Sequence, residues 1–188
     1  MHVYLIRHAI ADRSSTPDPY TVPLGETGRA QAEAVAERCA AWGIDFVVTS
    51  LMRSAQETAD AITARLPQVE RWDLEELEEM TVDDLMGEPT GSPLVSRWTA
   101  EHLRMGRERT WIRVTAALSR VMLYAEANDR ERVAIVAGDT VLSMLLLNWM
   151  ELDWRALERL SFRLDAASSS LVELSDGDPE IVWINRPA

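Results

Sequence analysis

The chain has 188 residues, 47% of them hydrophobic, with 19 basic against 31 acidic residues and a net charge of -12. That length makes one domain with enough apolar side chains for a core, and the charge disfavours nucleic acid and anionic membrane as partners. The single cysteine, Cys39, excludes an intrachain disulfide framework or cysteine-rich metal cluster, and all 19 basic residues are arginine, which removes the lysine amine of a P-loop or Schiff-base site.

His2 to Ile6 reads as a short buried strand, followed by a polar, proline-containing loop from Ala11 to Gly25. Ala32, Val35, Ala36 and Cys39 recur at helical spacing, and Gly43 sits where a helix would end. Ile44 to Thr49 is a second buried strand, and Ser54 to Leu66 an amphipathic helix stopped by Pro67. The middle is less regular: an acidic run from Glu75 to Glu79, capping-box spacing at Thr81 and Asp84, and a helix start at Ser92-Pro93. A long helix is predicted over Thr110 to Glu126, a strand over Arg132 to Val136, and an internal helix, apolar all round, over Thr140 to Met150. Ser169 to Leu174 and Glu180 to Ile184 form a hairpin across a Ser-Asp-Gly-Asp-Pro turn.

The amino terminus lacks the basic and long apolar regions of a signal peptide, and the longest apolar run, Val141 to Leu147, falls far short of the roughly 20 residues of a membrane span. With one cysteine, a reducing, cytoplasmic setting is expected. No H-E-x-x-H pattern joins the three histidines, His2, His8 and His102, so neither metal nor cofactor is expected. Alternating strands and helices predict a single α/β domain over 1-188, with a mostly parallel sheet and helices on both faces. Sites in such folds lie at the carboxyl ends of strands, where Arg7-His8 and Ala137 to Thr140 fall. A guanidinium beside an imidazole suits phosphate chemistry, the first by bidentate binding and the second as a nucleophile.

Leu5-Ile6-Arg7-His8-Ala9 resembles the L-x-R-H-G opening of the histidine phosphatase superfamily, also called phosphoglycerate-mutase-like. Pro23 to Ala32 is similar to its P-L-T-x-x-G-x-x-Q-A stretch, and Thr49 to Ala59 to its S-x-x-x-R-A-x-Q-T-A run. The resemblance implies a phosphoglycerate-mutase-like fold and metal-independent hydrolysis of a small phosphate ester through a phosphohistidine. His8 would be the nucleophile, and Arg7 and Arg53 the phosphate clamp. Leu77-Glu78-Glu79-Met80 resembles the segment that carries the general acid, which assigns that role to Glu79 among the glutamates of 75-79. A carboxyl group beside a phosphate would have the raised pKa an acid catalyst needs. Arg29, in the second matching stretch, reads as a solvated helix charge.

The sequence departs from the family at the second histidine. Where the family has V-S-H-G-G-T, this chain reads Ile135-Val136-Ala137-Gly138-Asp139-Thr140, which puts Ala137 at the histidine's place; a one-residue shift substitutes Gly138 instead. Its origin is open between a natural degenerate member and deliberate replacement. Loss of one preorganised donor costs roughly 10²- to 10³-fold in rate, so activity is expected to be weakened. Ser14 stands where an asparagine often helps to hold phosphate. A cap insertion is expected at about 81-111, where Trp98, His102, Met105 and Trp111 either form a lid or pack the insert against the sheet. The expected partner is a small phosphorylated molecule. The rival class is a phosphate-binding pseudoenzyme or regulatory protein, and a phosphoglycerate mutase is the weaker third choice.

Overall fold

A computed structural model describes residues 1-14, 16, 18, 20-79, 95-175 and 178-187, excluding the side chains of 95-100 and 102. Six strands form one sheet: β1 (His2–Arg7), β2 (Phe46–Ser50), β3 (Glu70–Leu74), β4 (Arg132–Ala137), β5 (Ser169–Ser175) and β6 (Asp178–Arg186). Their order is β3-β2-β4-β1-β5-β6. The four strands from β3 to β1 run parallel, and β5 and β6 add an antiparallel edge, giving the expected α/β domain a mixed sheet.

Among the described residues, four α-helices cover the two faces: α1 (Glu26–Trp42), α2 (Arg53–Arg65), α3 (Val95–Ala127) and α4 (Asp139–Trp149). The strand period of two sorts the side chains between them. Tyr4, Ile6, Ala134 and Val136 face a cluster with Ala32, Val35 and Cys39 of α1 and Ala55 and Ile62 of α2. Val3, Leu5, Ile135 and Ala137 face the other cluster, with Val114 and Leu118 of α3 and Val141 and Leu145 of α4. Every residue from Val141 to Leu147 is buried, as its continuous apolarity predicts. Gly43 ends α1 at φ 70, a left-handed conformation that costs glycine least.

Two elements differ from the sequence reading. β3 was not expected, because Arg71-Trp72-Asp73-Leu74 alternates over only four residues; it is an edge strand supported by β2 alone, with Trp72 and Leu74 packed on the core. The long helix begins at Val95, fifteen residues before the predicted start at Thr110, because its polar first half carries little apolar periodicity. From residue 95 the expected cap is therefore the front of α3; the capping box at Thr81 and Asp84 and the Ser92-Pro93 start lie outside the described residues. Among the described residues, no helix is long and apolar enough to cross a membrane.

Candidate active site

Parallel pairing of β1 with β4 sets Arg7 opposite Ala137, bringing the two sequence segments together at one sheet edge. His8 N–H donates to the Ala137 carbonyl at 3.0 Å, and the Ala167 N–H reaches the carbonyls of Arg7 and His8 at 3.1 and 3.3 Å. The backbone of His8 is thus held from both sides. Its Nδ1 lies 2.9 Å from the Ala9 carbonyl. A carbonyl only accepts, so Nδ1 carries the proton and Nε2 keeps its lone pair. Burial pushes the imidazole pKa below its ordinary value, and the Arg7 and Arg13 charges add to this, against the Ala9 bond and Asp139. His8 is therefore neutral near pH 7.

The motif residues around it fix the loop. Ala9 N–H donates to Thr58 Oγ1 at 3.1 Å, and that hydroxyl donates to the Ser54 carbonyl at 2.7 Å, so α2 carries the segment after His8. Ile10 N–H donates to Gln31 Oε1 at 3.0 Å. A Cβ on Gly28 would stand 2.1 Å from the Ile10 carbonyl oxygen, so only glycine lets α1 approach this loop. Gly28, Gln31 and Thr58 had no role in the sequence reading beyond membership of a motif.

Arg7 points one Nη at the Leu164 carbonyl and the other at Asp139 Oδ2, 3.5 Å away. Among the described residues its Nε is buried without an acceptor. Arg53, the first residue of α2, is 56% exposed and donates from Nε to Glu57 Oε1 at 2.8 Å. The other Glu57 oxygen accepts from Leu24 N–H at 2.7 Å. Arg53 is therefore paired with a carboxylate of its own helix that also holds the backbone at Leu24.

Glu79 reaches across the sheet edge to α4, where its Oε1 accepts from the N–H groups of Thr140 at 3.1 Å and Val141 at 3.4 Å. Arg113 of α3 holds the preceding segment by donating to the carbonyls of Glu75 and Glu78, both at 2.9 Å, and Glu76 pairs with Arg120 at 2.9 Å. Burial pushes the Glu79 carboxyl pKa above its ordinary value, and the Asp139 charge adds to this, against the two helix N–H groups. The Glu79 carboxyl lies directly over Gly138, where an added Cβ would be 2.0 Å from Oε1. Ala137 is fully buried and turns its methyl into the α3/α4 core. The position that opens toward Glu79 is 138, not 137.

Other sequence candidates have different partners. Ser14 donates to Asp12 Oδ1 at 2.6 Å, and Arg29 is an exposed α1 residue acting on Asp12. His2, at the opposite end of β1, pairs with Glu173 at 3.3 Å. Trp111 packs on the α3/α4 cluster and Met105 is exposed, while the side chains of Trp98 and His102 are outside those described. Asp139 and Arg13 were not singled out as site residues. Among the described residues, no three His, Cys, Asp or Glu side chains gather as a metal site.

The model of the histidine phosphatase superfamily (branch 1) matches residues 3–187. The chain belongs to this superfamily. It is 34% identical over 135 residues to the mitochondrial serine/threonine-protein phosphatase PGAM5 of Mus musculus, covering 69% of this chain and 43% of the relative, and equally to that of Rattus norvegicus. It thus spans less than half the length of these relatives. The fold is similar to the alpha-ribazole phosphatase of Shigella flexneri, with a TM-score of 0.78 at 22% identity over 98% of this chain and 96% of that one. A mycobacterial glucosyl-3-phosphoglycerate phosphatase, solved with VO3, gives a TM-score of 0.73 at 18% identity over 98% and 99%.

Proposed function

We propose that this histidine phosphatase hydrolyses a small phosphate ester without a metal or other cofactor, through a phosphohistidine at His8, in a cytoplasmic setting. The observation that carries the reading is the Nδ1 contact to the Ala9 carbonyl, which leaves Nε2 unprotonated. His8 Nε2 attacks phosphorus as the ester P–O bond breaks, with Arg7 and Arg53 gripping the phosphoryl oxygens. Glu79, whose hold on its proton burial strengthens, passes that proton to the departing oxygen. Water then attacks the phosphohistidine, gives its proton to Glu79, and leaves as part of inorganic phosphate while His8 is regenerated.

A second imidazole would add a charged donor to the phosphoryl oxygens in the transition state. We assign that imidazole's position to 138, where Glu79 now fills the space, because Ala137 is a core residue and Gly138 abuts Glu79. Turnover should be correspondingly weak. The rival reading, a phosphate-binding pseudoenzyme, is favoured by one observation: neither 137 nor 138 carries an imidazole. Incubation with a ³²P-labelled aryl phosphate followed by rapid quenching at alkaline pH separates the two. Label on the wild type and none on His8→Ala supports the phosphatase, whereas phosphate binding without label supports the pseudoenzyme.

A further inference from the structure

Arg7 is the guanidinium nearest the proposed nucleophile in sequence, yet its surroundings are acidic. Asp139 Oδ2 lies 3.5 Å from its Nη2 and the Asp139 side chain is 53% exposed. Asp165, 54% exposed, is held below the usual carboxylate range by Asn185 and Arg163, with Arg7 contributing. The backbone carbonyl of Asp139 accepts from Ser143 Oγ at 2.6 Å. The N–H groups at the start of α4 are taken by Glu79 rather than by Asp139. Asp139 thus presents a half-exposed carboxylate toward the site, and among the described residues its one ion-pair partner is Arg7.

A phosphoryl group on Arg7 creates a conflict. The guanidinium has five N–H donors in a rigid fork; here one end faces Leu164 and Asp139, while Nε is buried. Incoming phosphoryl oxygens compete with Asp139 for the same end, and the displaced carboxylate stays next to them. Two like charges at such distance repel appreciably in a partly buried setting. The nearby cations do not resolve this, since Arg163 is paired with Asp165 at 3.2 Å and Arg13 acts on the His8 side. A positive charge carried in by the ligand does: it meets Asp139 as Arg7 turns to the phosphate.

We infer that Asp139 is a specificity-determining residue that selects phosphate esters bearing a cationic group near the phosphoryl, as in an aminoalkyl phosphate. The inference rests on the reading that Arg7 holds the phosphate. Isothermal titration of 2-aminoethyl phosphate and its uncharged counterpart propyl phosphate, into wild type, Asp139→Asn and Arg7→Ala, tests both. Wild type is expected to prefer the aminoethyl ester at least tenfold. In Asp139→Asn, propyl phosphate should bind at least threefold tighter and the preference fall below twofold; Asp139→Ser provides a second variant should the first fold poorly. Equal affinity of wild type for the two esters, or a preference that survives in both Asp139 variants, overturns the inference. Arg7→Ala binding both esters as tightly as wild type instead removes the phosphate reading beneath it.

Discussion

Gly138→Ala adds one methyl group at a place where the backbone raises no objection, since φ -82 and ψ 172 are open to any residue. Alone, such a change stabilises by about 0.4–1 kcal/mol through the unfolded chain. The new Cβ would, however, stand 2.0 Å from Glu79 Oε1, 2.5 Å from Cδ and 2.6 Å from Cγ. Glu79 must leave, breaking the bonds from Thr140 at 3.1 Å and Val141 at 3.4 Å. The first has ordinary geometry and the second is long, so their loss amounts to about 1.5–3 kcal/mol. The expected net effect is a destabilisation of about 1–2 kcal/mol. In a Glu79→Ala background the obstruction is gone, and the same change should be neutral or slightly stabilising. Urea denaturation of the four proteins, compared by midpoint at constant slope, measures the coupling directly. Costs in the two backgrounds that agree within about 0.5 kcal/mol would refute the placement of Glu79 over Gly138.

The placement of the missing imidazole has its own test on an aryl phosphate, whose leaving group needs little help from an acid: Gly138→His, although it displaces Glu79, should raise the single-turnover rate of His8 phosphorylation at least about tenfold. Ala137→His should instead cost about 1–3 kcal/mol of stability by overpacking the core, with no gain in rate. His8→Ala should reduce turnover to background in either setting, measured on the same ester. Arg53→Ala should weaken inorganic phosphate binding several-fold in a titration; no change would take Arg53 out of the site. For Glu79, the raised pKa means that between the ordinary carboxyl value of 4.5 and the raised one, the folded protein keeps a proton the unfolded chain has lost. Stability contributed by this group is therefore full below the ordinary value and falls as pH rises through the raised one. Glu79→Gln should flatten that slope in denaturation series across the acidic range.

The fold was legible where side-chain periodicity follows burial. The continuous apolar run of Val3 to Ile6 and the largely apolar run of α4 are direct records of elements covered on every side. Edge strand β3 left only a short record, Trp72 and Leu74 alternating with the ion-paired Arg71 and Asp73 over too few residues to stand out. For the site, motif order located Arg7 and His8, and the resemblance located Glu79, but the register at the end of β4 could not be read from identities. Ala137 and Gly138 are equally small; only the pairing of β4, which alternates Ile135, Val136 and Ala137 between the two faces, decides which side chain enters the core. Asp139 reads in the sequence as a source of repulsion if it faces a phosphate; its pairing with Arg7 is not legible there, because it joins residues 132 positions apart, brought together by strands adjacent in the sheet.

Cys39 offers a practical consequence of the way α1 seats on the sheet. The thiol is fully buried among Val35 and Ala36, and its pKa is pushed up to about 12, so the native protein contains almost no thiolate to react. As the chain's only sulfhydryl, it becomes reactive when α1 lifts or the whole domain opens. Its alkylation rate, set against that of the urea-unfolded chain, is then a clock for those openings: where reclosing outruns the reagent, the ratio of rates gives the opening free energy of this one helix without any introduced label.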